Sequence, residues 1–225
     1  VERKSMVMSD EEKRMTAYHE AGHAVVSIHC PASDPIHKAT IIPRGRALGM
    51  VMRIPEADKI SYLRDKMLAD LAVSMGGRVA EELIFGAQKV SSGASSDIQY
   101  ATRLANAMVT QWGMSESLGP ILFAATDENH APMIRSPEAI AKVDAEIKRI
   151  VNDAHAEATR ILTTHRDHLE VVAQALIEYE TLTGDEIKAL MDGKKINRPD
   201  PGADAPKPIR SKLPSSKKVE ETEGV

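Results

Sequence analysis

Along most of the chain, apolar side chains recur every three or four positions, the spacing that gathers them on one face of an α-helix. From Lys59 to Phe85 the repeat runs through Ile60, Leu63, Met67, Leu71 and Met75; Gly76-Gly77 is a point where such a helix would bend, and Gly86 ends it. A second stripe of Ile98, Ala101, Leu104, Ala105 and Met108 predicts a helix reaching about Trp112, opened by the capping box Ser96-Asp97-Ile98-Gln99. Ser136-Pro137 starts a long helix with proline at its favoured first position and Ile140, Val143, Ile147, Ile150, Val151, Ala154 and Ile161 along one side. Leu169 to Tyr179 reads as another helix, and Thr183-Gly-Asp-Glu186 caps a short last one before Gly193. At the other end, Ser9 and Glu12 form a capping box for a helix from about Asp10 to His29, stopped by Pro31.

The pattern breaks in two places. β-Branched residues dominate His37 to Pro43, and a turn at Arg44-Gly45-Arg46 leads to Leu48–Ile54, which together predict a small hairpin or meander. Beyond Asn197 the chain is rich in Pro, Lys, Ser and Glu with almost no apolar content, the composition of a disordered tail. The expected organisation is therefore a mainly α, compact helical domain over residues 1–193 with a small β element, followed by a disordered polar tail over 194–225.

Composition narrows the picture further. Aromatics are only 3% and there are 11 methionines, so the core must be packed helices of Leu, Ile, Val, Ala and Met. A net charge of −4 argues against a general nucleic-acid surface. Cys30 is the one cysteine, which excludes an internal disulfide and a thiolate zinc cluster. No apolar run approaches the roughly 20 residues needed to span a bilayer. The chain opens at Val1 in the middle of a charged segment, and is expected to be a piece of a longer polypeptide.

His19-Glu20-Ala21-Gly22-His23 is H-E-x-x-H within the first predicted helix. Residues four apart lie about 40° apart around a helix and about 6 Å along it, so both imidazoles can reach one zinc from the same face. Glu20, beside His19, is angled to act as general base toward an activated water, and small Ala21 and Gly22 leave room beside the metal. A catalytic zinc needs a third protein ligand. His29 stands where an extended H-E-x-x-H-x-x-G-x-x-H pattern would place one, but Val26 replaces the turning glycine, and a continuing helix points His29 about 240° away from His23. Glu81 or Glu82 on a later helix, and Asp97 after the Ser91–Ser96 loop, are close to equal on spacing alone.

Further segments carry a resemblance. Ser5-Met-Val-Met8, Thr16-Ala-Tyr-His-Glu-Ala-Gly-His-Ala24, Thr40-Ile-Ile-Pro-Arg-Gly-Arg-Ala-Leu-Gly49, Gly76-Gly-Arg-Val-Ala-Glu-Glu82, Gly93-Ala-Ser-Ser-Asp-Ile98 and Trp112-Gly-Met-Ser115 occur in the order found in the peptidase domain of the FtsH family of membrane-bound ATP-dependent zinc metalloproteases. The likeness spans roughly Val1 to Gly193. It implies a zinc metalloendopeptidase in which Asp97 is the third ligand with His19 and His23, Glu20 is the catalytic base, and Glu81 and Glu82 take supporting roles. Ser92 and Ser96 replace the family's usual threonine and asparagine around that aspartate, and both are small and polar. The resemblance also implies one zinc per chain and unfolded or damaged membrane and soluble proteins as substrates. It implies a homohexamer in the full-length protein and no nucleic-acid partner. ATP would act only through an ATPase module absent from this sequence, and the membrane only through an absent N-terminal anchor. The implied location is a bacterial inner membrane or its organellar equivalent, with the peptidase portion on the cytoplasmic side and this piece itself soluble.

Other features read more plainly. The Ile41–Ile54 region offers either an edge strand for an extended substrate or a purely structural hairpin. Arg44 and Arg46 read as solvated turn residues, and Gly93 as a tight turn near the metal. No Walker A motif occurs. Cys30, His37, His130, His155, His165 and His168 stand isolated in the sequence and read as surface or packing residues.

Overall fold

The computed structural model describes residues 8–43, 48–55, 61–123, 136–196 and 198. The first capping box forms as the sequence predicts: Ser9 Oγ accepts from the Glu12 N–H at 3.2 Å, and the Glu12 carboxylate accepts from the Ser9 N–H at 3.0 Å. It opens α1 (Asp10–His29). There follow β1 (Ile36–Thr40), β2 (Met50–Arg53), α2 (Arg64–Phe85), α3 (Ser95–Thr110), α4 (Pro137–Thr164), α5 (Arg166–Tyr179), β3 (Thr181–Thr183) and α6 (Gly184–Met191). Among the described residues no helix is long and apolar enough to cross a membrane. The chain divides into a unit over Val1–Lys195 and a remainder, Ile196–Val225. The predicted tail beyond Arg198, the Arg44-Gly45-Arg46 turn, Lys59, Ile60 and His130 lie outside the described residues.

Helix α1 is the axis of the domain. Every residue from Thr16 to Ser27 is buried, so that stretch has no solvated face, and its polar residues are enclosed along with its apolar ones. Helix α2 packs on one side and α5 on another. The α1–α2 crossing is close because both helices present glycine there. A Cβ on Gly22 would fall 2.7 Å from Ala80 Cβ, and one on Gly76 would fall 2.7 Å from the Gly22 carbonyl oxygen. Gly76-Gly77 therefore does not bend α2, which runs unbroken to Phe85; the glycines form the groove that receives α1. Tyr18 fixes the other side, with its ring edge-on to Phe85 and its hydroxyl hydrogen-bonded to Glu170 and Gln174 of α5.

The β element is larger than a hairpin. β1 pairs antiparallel with β2 (Thr40 opposite Met50) and with β3 (Ala39 opposite Leu182), giving the order β2-β1-β3. Strand β3 is three residues long, too short to show alternation, and its last residue, Thr183, is also the N-cap of α6. β2 is held to α2 by charge: Arg53 donates to Asp70 at 2.6 Å, and Lys66 bridges Asp70 (2.5 Å) and Asp34 (3.0 Å).

Two helix readings change. The Ser96 capping box does not form. A 3-10 turn over Ser92–Ala94 runs directly into α3, which starts at Ser95 with Ala94 as its cap residue and no side-chain cap. Ala101, Ala105 and Met108 are buried as expected, whereas Ile98 is 42% exposed. On α4, Ile150, Ala154 and Ile161 enter the core, but Ile140 is 50% exposed.

Candidate metal centre

The buried middle of α1 places His19, Glu20 and His23 on one turn. The His19 imidazole lies against α2 at a position without a side chain: a Cβ on Gly77 would sit 2.7 Å from His19 Cδ2 and closer still to Nε2. Asp97 arrives from the first turn of α3, delivered by the 3-10 turn that precedes it.

The three donor atoms form a tight triangle. His19 Nε2 and His23 Nε2 are 3.1 Å apart, and Asp97 Oδ2 lies 3.4 Å from the first and 3.5 Å from the second. A tetrahedral ion with bonds of about 2.0–2.1 Å separates its ligand atoms by roughly 3.3 Å, so the triangle matches one face of such a site. The outer nitrogens are both engaged. His19 Nδ1–H donates to Glu81 Oε1 at 2.8 Å, and His23 Nδ1–H donates to the Val73 carbonyl at 2.7 Å. With the protons on Nδ1, both Nε2 atoms present lone pairs, facing each other and a carboxylate oxygen. Three acceptors converging at this distance repel unless a cation or proton lies between them. The donor set fits a zinc ion.

Metal-free electrostatics say the same. Burial alone would lower His19, but hydrogen bonds with Asp97 and Glu81 and the nearby Glu20 carboxylate carry it up to about 10. Burial pushes Asp97 up, yet its contacts with His19 and His23 hold it well below the usual carboxylate range. Burial likewise opposes ionisation of Glu81, and its bonds to His19 and Ser91 override it. Without a metal, His19 keeps its proton because the carboxylates fixed around it favour the charged ring.

Glu20 is different. Its carboxylate is buried, and among the described residues it accepts no hydrogen bond. Burial raises its pKa, with His23 and His19 pulling the other way. Gly49, just before β2, makes room for it: a Cβ there would stand 2.6 Å from Glu20 Oε1. Glu20, His19, His23 and Asp97 share a cleft of ≈890 Å³ with Met50 and Val51 of β2. Asp97 is the most open of the three donor residues, its side chain 25% exposed.

The remaining candidates separate clearly. Glu81 lies behind His19, and besides that ring it accepts from the Ser91 N–H at 2.6 Å and the Ser91 hydroxyl at 3.0 Å. It thus joins α1 to the loop that leads to Asp97. Glu82 faces elsewhere, toward Arg78 Nε (2.6 Å) and His155 Nε2 (3.1 Å), so His155 is not isolated. His29 is remote from the triangle, as its helical angle predicts, but it is not alone: it meets His165 and His168. Cys30 is buried, and burial pushes its thiol up to about 11. Sequence reasoning missed the Val73 carbonyl and the space-making roles of Gly77 and Gly49. The paired glycines were the one visible signal, read as a bend.

Comparison with known proteins places the chain in a family. The profile of peptidase family M41 matches residues 6–190. The chain is 56% identical over 202 residues to the ATP-dependent zinc metalloprotease FtsH of Rickettsia bellii, covering 88% of this chain and 32% of that protein. The FtsH of Neorickettsia risticii is 58% identical over 196 residues, covering 86% of this chain and 30% of its own. That of Caulobacter vibrioides is 50% identical over 199 residues, covering 85% and 32%. The chain spans about a third of the length of the curated relatives it matches.

Proposed function

The chain belongs to peptidase family M41, and on that footing we propose that it is the zinc endopeptidase portion of an FtsH-like ATP-dependent protease. His19, His23 and Asp97 hold the zinc, and Glu20 is the general base. The reading rests on one observation above the rest: two Nε2 lone pairs and a carboxylate oxygen, 3.1–3.5 Å apart, turned toward one point. When bound, zinc polarises the scissile carbonyl and brings the pKa of a water to about 7.

The chain's own residues supply the rest. Glu81 and the Val73 carbonyl hold a proton on each Nδ1, so Nε2 is the atom each ring turns to a metal. Glu20 has no hydrogen-bond donor to satisfy among the described residues, and its carboxylate is free to take a proton from the attacking water and return it to the leaving amine. Burial raises its basicity in that role. Among the described residues, strand β2 is the outer strand of the sheet, with its second edge unpaired and its residues on the cleft. An extended polypeptide pairing along that edge would be held by main-chain hydrogen bonds, which tolerate varied sequence. Substrates are unfolded or damaged polypeptides, delivered in the full-length protein by an ATPase ring of six chains anchored in a membrane, with the peptidase on the cytoplasmic side.

The test is Glu20→Gln. It is expected to keep one zinc per chain at the triangle while casein hydrolysis falls by about 10²–10⁴-fold. Undiminished turnover would remove Glu20 from the mechanism. Loss of the zinc would mean that Glu20 serves the metal rather than the reaction.

A further inference from the structure

The second group of histidines has the makings of a site. His29 is the last residue of α1, His165 joins α4 to α5, and His168 lies in the first turn of α5. Each imidazole offers a nitrogen within 4.8 Å of the other two. His29 Nε2 and His168 Nδ1 are 3.0 Å apart. The His29 and His165 rings stack at 3.6 Å and 8°, and His168 lies 5.2 Å from each, nearly parallel to both.

We propose that His29, His165 and His168 form a second transition-metal site, separate from the catalytic centre, which ties the end of α1 to the α4–α5 corner. Imidazole suits zinc, nickel and copper, and three of them supply the nitrogen count of a typical zinc centre. Ligands at about 2.0–2.1 Å from one ion stand roughly 2.9–3.4 Å apart when adjacent. The closest pair already has that spacing; His29 and His165 lie in near-parallel stacked planes, so for their in-plane lone pairs to meet at one ion the half-buried His165 ring turns out of the stack. The alternative, stacked rings joined by one N–H···N hydrogen bond between His29 and His168, holds no ion, and that difference is measurable.

Zinc content is determined by elemental analysis after dialysis against micromolar zinc, in the wild-type chain and in His168→Phe and His165→Phe. Phenylalanine retains a ring for stacking and removes the donor. His23→Ala serves as the control that empties the catalytic centre alone. Two ions per wild-type chain are expected, falling to one in each of the three variants. Casein hydrolysis should persist in both phenylalanine variants. Circular dichroism verifies that each variant is folded, and His168→Gln replaces any that is not. One ion per wild-type chain, or two retained in His168→Phe or His168→Gln, overturns the proposal.

Discussion

Replacing Glu81 by Gln removes one charge and changes almost no volume, yet it should weaken the binding of a zinc ion that the side chain does not itself coordinate. Glu81 is 1% exposed and accepts three hydrogen bonds: from His19 Nδ1 and the Ser91 hydroxyl at Oε1, and from the Ser91 N–H at Oε2. A glutamine amide has one acceptor end. If its oxygen faces His19, its NH₂ faces the Ser91 N–H, and a half-buried donor loses its partner at a cost of about 1 kcal/mol. The Ser91–Ala94 segment that carries the chain into Asp97 then loosens. If the amide flips, its NH₂ faces His19 Nδ1, that nitrogen must give up its proton, and the proton moves to Nε2, where the metal should bind. Either outcome degrades a ligand. Loss of such a supporting partner typically weakens metal affinity 10–100-fold, about 1.4–2.7 kcal/mol. Competition with a chromophoric chelator measures the dissociation constant directly, and Glu81→Asp is a companion that keeps charge but shortens reach. A Glu81→Gln dissociation constant within twofold of wild type would refute the reasoning, because both orientations of the amide would then have been harmless.

Gly77→Ala should displace the His19 ring, since a Cβ there overlaps the imidazole; zinc affinity is expected to fall at least about 100-fold while the helix content seen by circular dichroism stays unchanged, as alanine is the better helix former. Retention of wild-type affinity would show that the ring has room to retreat. The metal-free chain should lose stability as pH rises. The folded-state pKa of His19, about 10, stands above its ordinary 6.5, so its contribution is complete below about 6.5 and disappears as pH climbs through 10. Melting temperatures in chelator should therefore decline across that window and those with saturating zinc should not, because the ion takes the place of the proton. Parallel decline in both conditions would contradict the assignment.

Local signals served the sequence reading well and long-range ones poorly. The Ser9–Glu12 box, Pro137 and Thr183 act within a single turn, and each sits where its chemistry put it. The H-E-x-x-H pattern of the proposed zinc site was legible because two of its members are one turn apart. Asp97 was not separable from Glu81 by spacing, because nothing local says which of two carboxylates a loop will carry to a distant helix; only the resemblance favoured it. Strand β3 was invisible for a related reason: three residues gain strand character only from β1, about 140 positions earlier. The Gly76-Gly77 pair misled because glycine weakens a helix and also allows another helix to approach, and sequence cannot say which use applies. The stacked histidines were scattered through the chain and met only after folding.

The order of synthesis gives the three-stranded sheet a further meaning. His19, His23 and Asp97 have all left the ribosome well before Thr181, and at about 5–20 residues per second the gap lasts roughly 4–17 s. During that interval β1 has one flank bare where β3 will later pair, so a nascent chain can own its full set of metal donors while still presenting an open edge to neighbouring polypeptides. Early capture of the ion would hold the first half together through that exposure, and the closing strand would then shield the flank last.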